Sequence, residues 1–198
     1  DTRHDEEYVT MVLATIISGA GATPKQDGWH AVGPECCFGA LTSGDIELLE
    51  YSYPIIIHRY GLMEDSGGAG EFRGGSGTAW EVEPLDKEMT FIMFGEGRRI
   101  PAVGAAGASS SMIEPKVGRL ERKIGGKVEV IKDNIIGTIK PGETVTNMNP
   151  GGGGFGHPFK RSIEKVVWDV KNGLVSIKGA RADYSVVIKD KATLEVDH

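Results

Sequence analysis

The sequence predicts an α+β fold dominated by strands: a glycine-rich β core, sandwich- or barrel-like, with one helix near residues 162–171 packed on it. Three observations predict it. Short runs rich in β-branched and aromatic residues alternate with glycine clusters, as strands joined by tight turns do. Glycine supplies 29 of the 198 residues, about twice its ordinary share, and shows no G-X-Y period, which excludes collagen. A single segment switches to the 3.6-residue period of an amphipathic helix.

Taken in order, residues 8–17, YVTMVLATII, read as a buried strand, and Gly19 to Pro24 break it. Residues 25–45 read as loop with short extended pieces. Ile46 to Tyr60 reads as two strand pieces with an edge or a bulge at Pro54, because proline cannot donate to a ladder. Residues 65–77, DSGGAGEFRGGSG, form a glycine loop. Strands follow at 78–83 and 89–94, separated by the turn Pro84-Leu-Asp-Lys, and residues 95–111 are irregular. Residues 127–131 and 135–139 read as a hairpin across Asp133-Asn134. Pro141-Gly142 is a turn, and residues 143–148 make one more strand. The helix spans Ser162 to Lys171, where Ile163, Val166, Val167 and Val170 share one face, Ser162 caps the start and Asn172-Gly173 ends it. A second short helical turn runs from Ser176 to Arg181, and Tyr184 to Lys189 returns as a strand.

The chain fits one large domain or two small ones, with room for a sub-boundary near residues 108–118. It opens on Asp-Thr-Arg-His-Asp with no starting Met and reads as a piece of a longer polypeptide. Its longest apolar run, Val12 to Ile17, is far too short for a membrane span. The net charge of −6 is unevenly spread: residues 1–95 hold 16 acidic and 5 basic residues, residues 96–198 hold 12 and 17. Two attractive faces, a partner contact or two solvated faces all satisfy that pattern. Scattered basic residues without an aromatic platform argue against nucleic acid. Cys36 and Cys37, the only cysteines, have neither redox nor zinc spacing, which fits buried thiols in a reducing cytoplasm.

Candidate chemistry is sparse. Gly151, Gly153 and Gly156 match G-x-G-x-x-G, but His157-Pro158 intervenes before the helix and no βαβ unit surrounds them, so a dinucleotide site is excluded. Such glycines make a tight turn, or present backbone N–H groups to an anion. His157, beside a helix start, is the histidine best placed for anion or substrate binding; a packing or surface role is the ordinary alternative. The pair Arg98-Arg99 would suit a carboxylate or phosphate clamp if it lined a cleft. Asp65 and Arg73 can pair across their glycine loop. No phosphate-binding loop, metal-ligand spacing or hydrolase elbow occurs. No residue is assigned a catalytic or metal-ligating role.

The order of the glycine segments is distinctive: DSGGAGEFRGGSGT at 65–78, GRRIPAVGAAG at 97–107, IKPGE at 139–143, PGGGGFGHP at 150–158, then DVKNGLVS and ARADYSVV within 169–187. This series resembles the C-terminal part of the hydantoinase B/oxoprolinase family over nearly the whole chain. WHAVGPECCFGA at 29–40, with YSYPIIIHRYGLMEDSGG after it, is similar to the acetone carboxylase α-subunit branch. The resemblance implies a C-terminal segment of a longer cytoplasmic α subunit. It implies ATP-dependent carboxylation of acetone with bicarbonate to acetoacetate, in an α2β2γ2 heterohexamer with β and γ subunits. ATP would be handled by the partner subunit, and Mn2+ held by ligands outside this segment, which itself would supply scaffold and subunit contacts. His157 stands where the family more often has Asp, and Ser185 where it has Gly, so neither takes a family role. The rival within the family is an ATP-dependent hydantoinase or oxoprolinase that opens a cyclic amide; a non-catalytic β-rich interaction module is the rival outside it.

Overall fold

The computed structural model describes residues 7–10, 17–32, 44–93, 97, 100, 102–109, 118–131, 135–190 and 192–197. Its centre is a five-stranded antiparallel sheet in the order β1-β2-β7-β4-β5, with β1 Ile55–Leu62, β2 Thr78–Pro84, β4 Arg119–Ile124, β5 Lys127–Ile131 and β7 Thr144–Met148. A two-stranded ribbon of β3 (Met89–Met93) and β6 (Ile135–Ile139) forms a second layer. Alternation decides the faces. Trp80 and Val82 of β2, Leu120 of β4, Ile131 of β5 and Val145 of β7 point to the ribbon and bury against its Met93 and Ile139. Glu81, Glu83 and Glu121 lie on the alternate face, where Glu81 accepts the Thr144 hydroxyl at 2.7 Å and Glu121 pairs with Arg119 at 2.6 Å.

Two sequence expectations fail here for local reasons. The stretch before Pro54 is helix α1, Ile46–Ser52, rather than strand. Asp45 Oδ1 accepts the N–H groups of Glu47 and Leu48 at 2.8 and 3.2 Å, an N-cap that starts the helix. Pro54 holds Tyr53 extended at φ −128° and ends it, so this proline is a stop and not a mid-strand bulge. The irregularity in β1 falls instead between Ile57 and Arg59. The hairpin expected across Asp133-Asn134 does not form: β5 pairs with β4, and β6 crosses to β3. The tight turn is at Gly125-Gly126, both at positive φ (54° and 80°), the conformation a two-residue antiparallel turn requires.

Helices α2 (Ile163–Lys171) and α3 (Ile177–Tyr184) follow the sheet, with Ser162 and Ser176 capping their first turns. Three helices therefore stand among the described residues: α2 as expected, α3 as a longer form of the turn expected from Ser176 to Arg181, and α1 unexpected. The final strand shrinks to β8, Val187–Ile188, paired with β9, Val196–Asp197, because α3 runs on to Tyr184 and Ser185 takes a left-handed conformation. Of the strand expected at 8–17, residues 11–16 lie outside the described residues, as do 110–117 of the expected sub-boundary; residues 8–10 and 17 are not in a strand. No helix among the described residues is long and apolar enough to cross a membrane.

A second body is built almost wholly of backbone. Extended glycine-rich segments at 18–22, 28–32, 66–77, 103–109 and 149–156 lie side by side. Gly75 N donates to Ala20 O (2.8 Å), Gly152 N to Gly75 O (2.9 Å), Gly68 N to Gly152 O (2.8 Å) and Ala105 N to Gly154 O (3.0 Å). A Cβ on Gly74, Gly75 or Gly152 would overlap the carbonyl of Gly152, Trp29 or Ala20 respectively. Helices α2 and α3 close one side through Val166, Val170, Ala180 and Tyr184, which bury against Ala69 of the glycine loop.

Candidate functional site

A chain of four buried or half-buried charges runs through this glycine body. Arg73 projects from the 65–77 loop, and Arg161 follows the 3-10 turn Pro158–Lys160. Asp169 lies on the inner face of α2, and Asp27 comes from the loop before Trp29. Arg161 grips both carboxylates. Its Nη1 and Nη2 donate to the two Asp27 oxygens at 2.7 and 2.8 Å, and its Nε donates to Asp169 Oδ2 at 3.0 Å. The same guanidinium reaches the Glu71 carbonyl at 3.2 Å. Arg73 Nε sits 3.3 Å from Asp169 Oδ1, its Nη1 donates to Gly74 O at 2.6 Å, and its backbone N–H donates to Asp27 Oδ1 at 2.8 Å. Arg73, Arg161 and Asp169 are all buried, whereas the Asp27 side chain is 30% exposed.

Two guanidinium groups face two carboxylates, so the network is neutral and its charges answer one another. That is what burial demands, since an unpaired charge in this position would cost several kcal/mol. Burial alone would raise the Asp27 carboxyl, but the Arg161 bonds and charge and the Arg73 N–H outweigh it and hold the group below the usual carboxylate range. His30 borders the network. Its Nδ1 accepts the Ser76 N–H at 3.0 Å, so that nitrogen carries no proton. Burial and the Arg73 charge both push His30 below the ordinary histidine value, with Asp169 and Asp27 opposing. Burial pushes the Tyr184 phenol up, out of its ordinary range. The arrangement fixes loops to helices and leaves no cationic surplus to hold an anion.

The candidates singled out by sequence are not brought together. His157 is exposed at the start of the 3-10 turn, where Nδ1 accepts the Phe159 N–H at 3.2 Å and the ring meets Phe159 edge-on at 4.9 Å. Arg98 and Arg99 lie outside the described residues, as do Cys36 and Cys37. Asp65 and Arg73 do not pair: Asp65 Oδ1 accepts the Ser176 N–H at 2.8 Å, and Arg73 turns to Asp169. In the 150–156 segment, Gly152, Phe155 and Gly156 donate to Gly75, Phe72 and Ala105, so these N–H groups close backbone contacts and cradle no phosphate. Among the described residues no three His, Cys, Asp or Glu side chains converge on a cation position. The donors of the described residues therefore do not fit a divalent metal.

The sequence reading missed the Asp27–Arg161–Asp169–Arg73 network. One local signal was available: Asp169 stands three residues after Val166, on the face of α2 that buries, where a carboxylate demands a buried cation.

The chain is 60% identical over 193 residues to the caprolactamase subunit beta of Pseudomonas jessenii, covering 97% of this chain and 33% of that protein. The crystal structure of the ATP-dependent caprolactamase from the same organism superposes with a TM-score of 0.84 at 59% identity, over 98% of this chain and 34% of that one. Nucleotide-free acetone carboxylase matches at a TM-score of 0.74 but 22% identity, a likeness of fold alone. This chain thus spans about a third of the length of the caprolactamase relatives. The hydantoinase B/oxoprolinase model matches residues 1–158, and the chain belongs to that family.

Proposed function

We propose that this chain is a segment of a longer subunit in an ATP-dependent enzyme that opens a cyclic amide. In that reaction two waters are consumed: one adds its oxygen to the lactam carbonyl carbon as the ring C–N bond breaks and the nitrogen leaves protonated as an amine, and the second is taken up as ATP gives ADP and phosphate. The observation that carries the reading is the 60% identity with the caprolactamase subunit, sustained over nearly the whole chain. It favours lactam opening over the acetone carboxylation that the sequence motifs imply, because the acetone carboxylase likeness stops at 22% identity.

Within such an enzyme this segment acts as scaffold. Its buried charges neutralise each other, and the N–H groups of Gly75, Gly152 and Gly156 serve backbone packing. On this reading the reacting atoms and ATP are bound elsewhere in the assembly. Companion subunits fit this reading, since the caprolactamase relative is itself named as a subunit; a carboxylase-type α2β2γ2 heterohexamer and Mn2+ belong to the alternative.

The test is a substrate comparison with the full-length subunit and its companions. ADP release is followed with ATP plus a seven-membered lactam, and with ATP plus acetone and bicarbonate. Lactam-dependent ADP release with an ω-amino acid detected by mass is the expected outcome. Acetoacetate formation without lactam turnover would restore the carboxylase reading.

A further inference from the structure

The ring of His30 is held between two donors. The Ser76 backbone N–H donates to Nδ1 at 3.0 Å, and Arg73 Nη2 stands 3.5 Å from Nε2. A neutral imidazole has one N–H and one bare nitrogen, whereas a guanidinium has only donors. With Nδ1 accepting from Ser76, the ring proton sits on Nε2 and meets an N–H of Arg73. Moving that proton to Nδ1 would satisfy Arg73 but set the ring against the Ser76 N–H, and a backbone amide cannot reverse its role. Either tautomer leaves a donor facing a donor, and a protonated ring has two such contacts. The shortage of partners extends around the ring. Arg73 is 2% exposed; its Nη1 is taken by Gly74 O, and its Nε lies 3.3 Å from Asp169 Oδ1 without a hydrogen bond. Ser76 Oγ is likewise buried with no hydrogen-bond partner among the described residues. Buried polar groups are nearly always partnered, and where protein atoms do not serve, ordered water does.

We propose that His30 Nε2 and Arg73 Nη2 converge on one ordered water, a binding site in which it is their common acceptor. An oxygen about 2.9 Å from each nitrogen fits over a pair 3.5 Å apart. Charge and hydrogen-bond chemistry select water over other oxygen ligands. Arg73, Arg161, Asp27 and Asp169 already balance, so an anion would bring an uncompensated charge. A carbonyl oxygen would satisfy both donors but has no hydrogen to give. Water accepts from both and keeps two hydrogens for acceptors, and the two unpartnered oxygens, Ser76 Oγ and Asp169 Oδ1, belong to the residues that flank His30 and Arg73. The water joins the half-buried ring to the buried ion network and holds His30 as the Nε2–H tautomer.

The test is the crystal structure of the full-length subunit with its companions, at a resolution that shows ordered water, for the wild type and for His30→Asn. Asparagine sets its side-chain oxygen near the Nδ1 position, so the Ser76 bond survives, and has no donor at the Nε2 position. The wild type should show a single water peak within about 3.2 Å of both nitrogens. The variant should lose that peak while Ser76 N–H stays bonded. Nothing between the two wild-type side chains would overturn the proposal. So would an anion or a carbonyl oxygen from another chain on Arg73, or a water that keeps its place in His30→Asn. Nitrogen-15 shifts of the histidines in the wild-type enzyme give a second answer that depends on no variant. A bare Nδ1 with a protonated Nε2 in His30 is expected at neutral pH; a protonated Nδ1 would remove the donor on which the site rests.

Discussion

Glycine has two distinct jobs in this chain, and substitution separates them. At Gly152 the backbone is ordinary, but a Cβ would overlap the Ala20 carbonyl. That contact is backbone against backbone, so no side chain can swing aside. At Gly173 nothing lies within 4 Å of an added Cβ, but φ is +69°. Gly152→Ala should therefore cost about 3 kcal/mol or more, the upper end of overpacking. Gly173→Ala should cost about 1–2 kcal/mol, the left-handed penalty alone. Urea melts of the two variants check this; equal losses would mean that the close packing relaxes and is not a constraint. Sequence reading found the glycine clusters but took them for turns. A turn glycine and a packing glycine look alike in one dimension, because only the second depends on a segment more than a hundred residues away.

Elements were legible where their signals were local. Helix α2 carried three at once: apolar residues at 3.6-residue spacing, Ser162 before them and Asn172-Gly173 after. Ser162 Oγ accepts the Lys165 N–H at 3.4 Å, a long cap bond. Ser162→Ala should lower stability by about 0.5–1 kcal/mol, the weak end for a lost cap, read as a drop in melting temperature. Ser162→Asp should hold or raise it, because a carboxylate also meets the helix dipole. A full 2 kcal/mol loss in the alanine variant would show that the bond is tighter than its length implies. Helix α1 was missed because it buries no residue, so its sequence has no face to betray it; Asp45 was the overlooked signal. The 127–139 hairpin failed for the opposite reason. β5 and β6 are neighbours in sequence but belong to different layers, and local turn chemistry at Asp133-Asn134 says nothing about a partner 46 residues upstream.

At the scale of the whole molecule, the two halves of opposite charge do not form two faces. Strands from the acidic half (β1, β2) and from the basic half (β7, β4, β5) share one sheet, and Asp27 reaches across 134 positions to Arg161. The charge asymmetry was legible in sequence; the way it is threaded through the fold was not, because it follows from non-local pairing. Threading charges through the interior makes stability depend on pH, and the sign can be worked out. His30 binds its proton less readily folded than unfolded, so below pH 6.5, its ordinary value, the unfolded chain gains protons first and stability falls. Asp27 is depressed below 3.8, so its contribution is complete above that pH and is lost as the pH drops through the folded value. Both shifts act in the same direction, giving an acid limb with two stages. A protonated His30 would also have to give up the Ser76 N–H at Nδ1 and place a cation beside Arg73. Stability measured by urea denaturation from pH 8 to pH 3 should therefore decline in two steps. His30→Gln should flatten the upper step, and Asp27→Asn should lower stability at pH 7 while flattening the lower one. An unchanged upper step in the His30 variant would place the first acid-sensitive group elsewhere in the molecule.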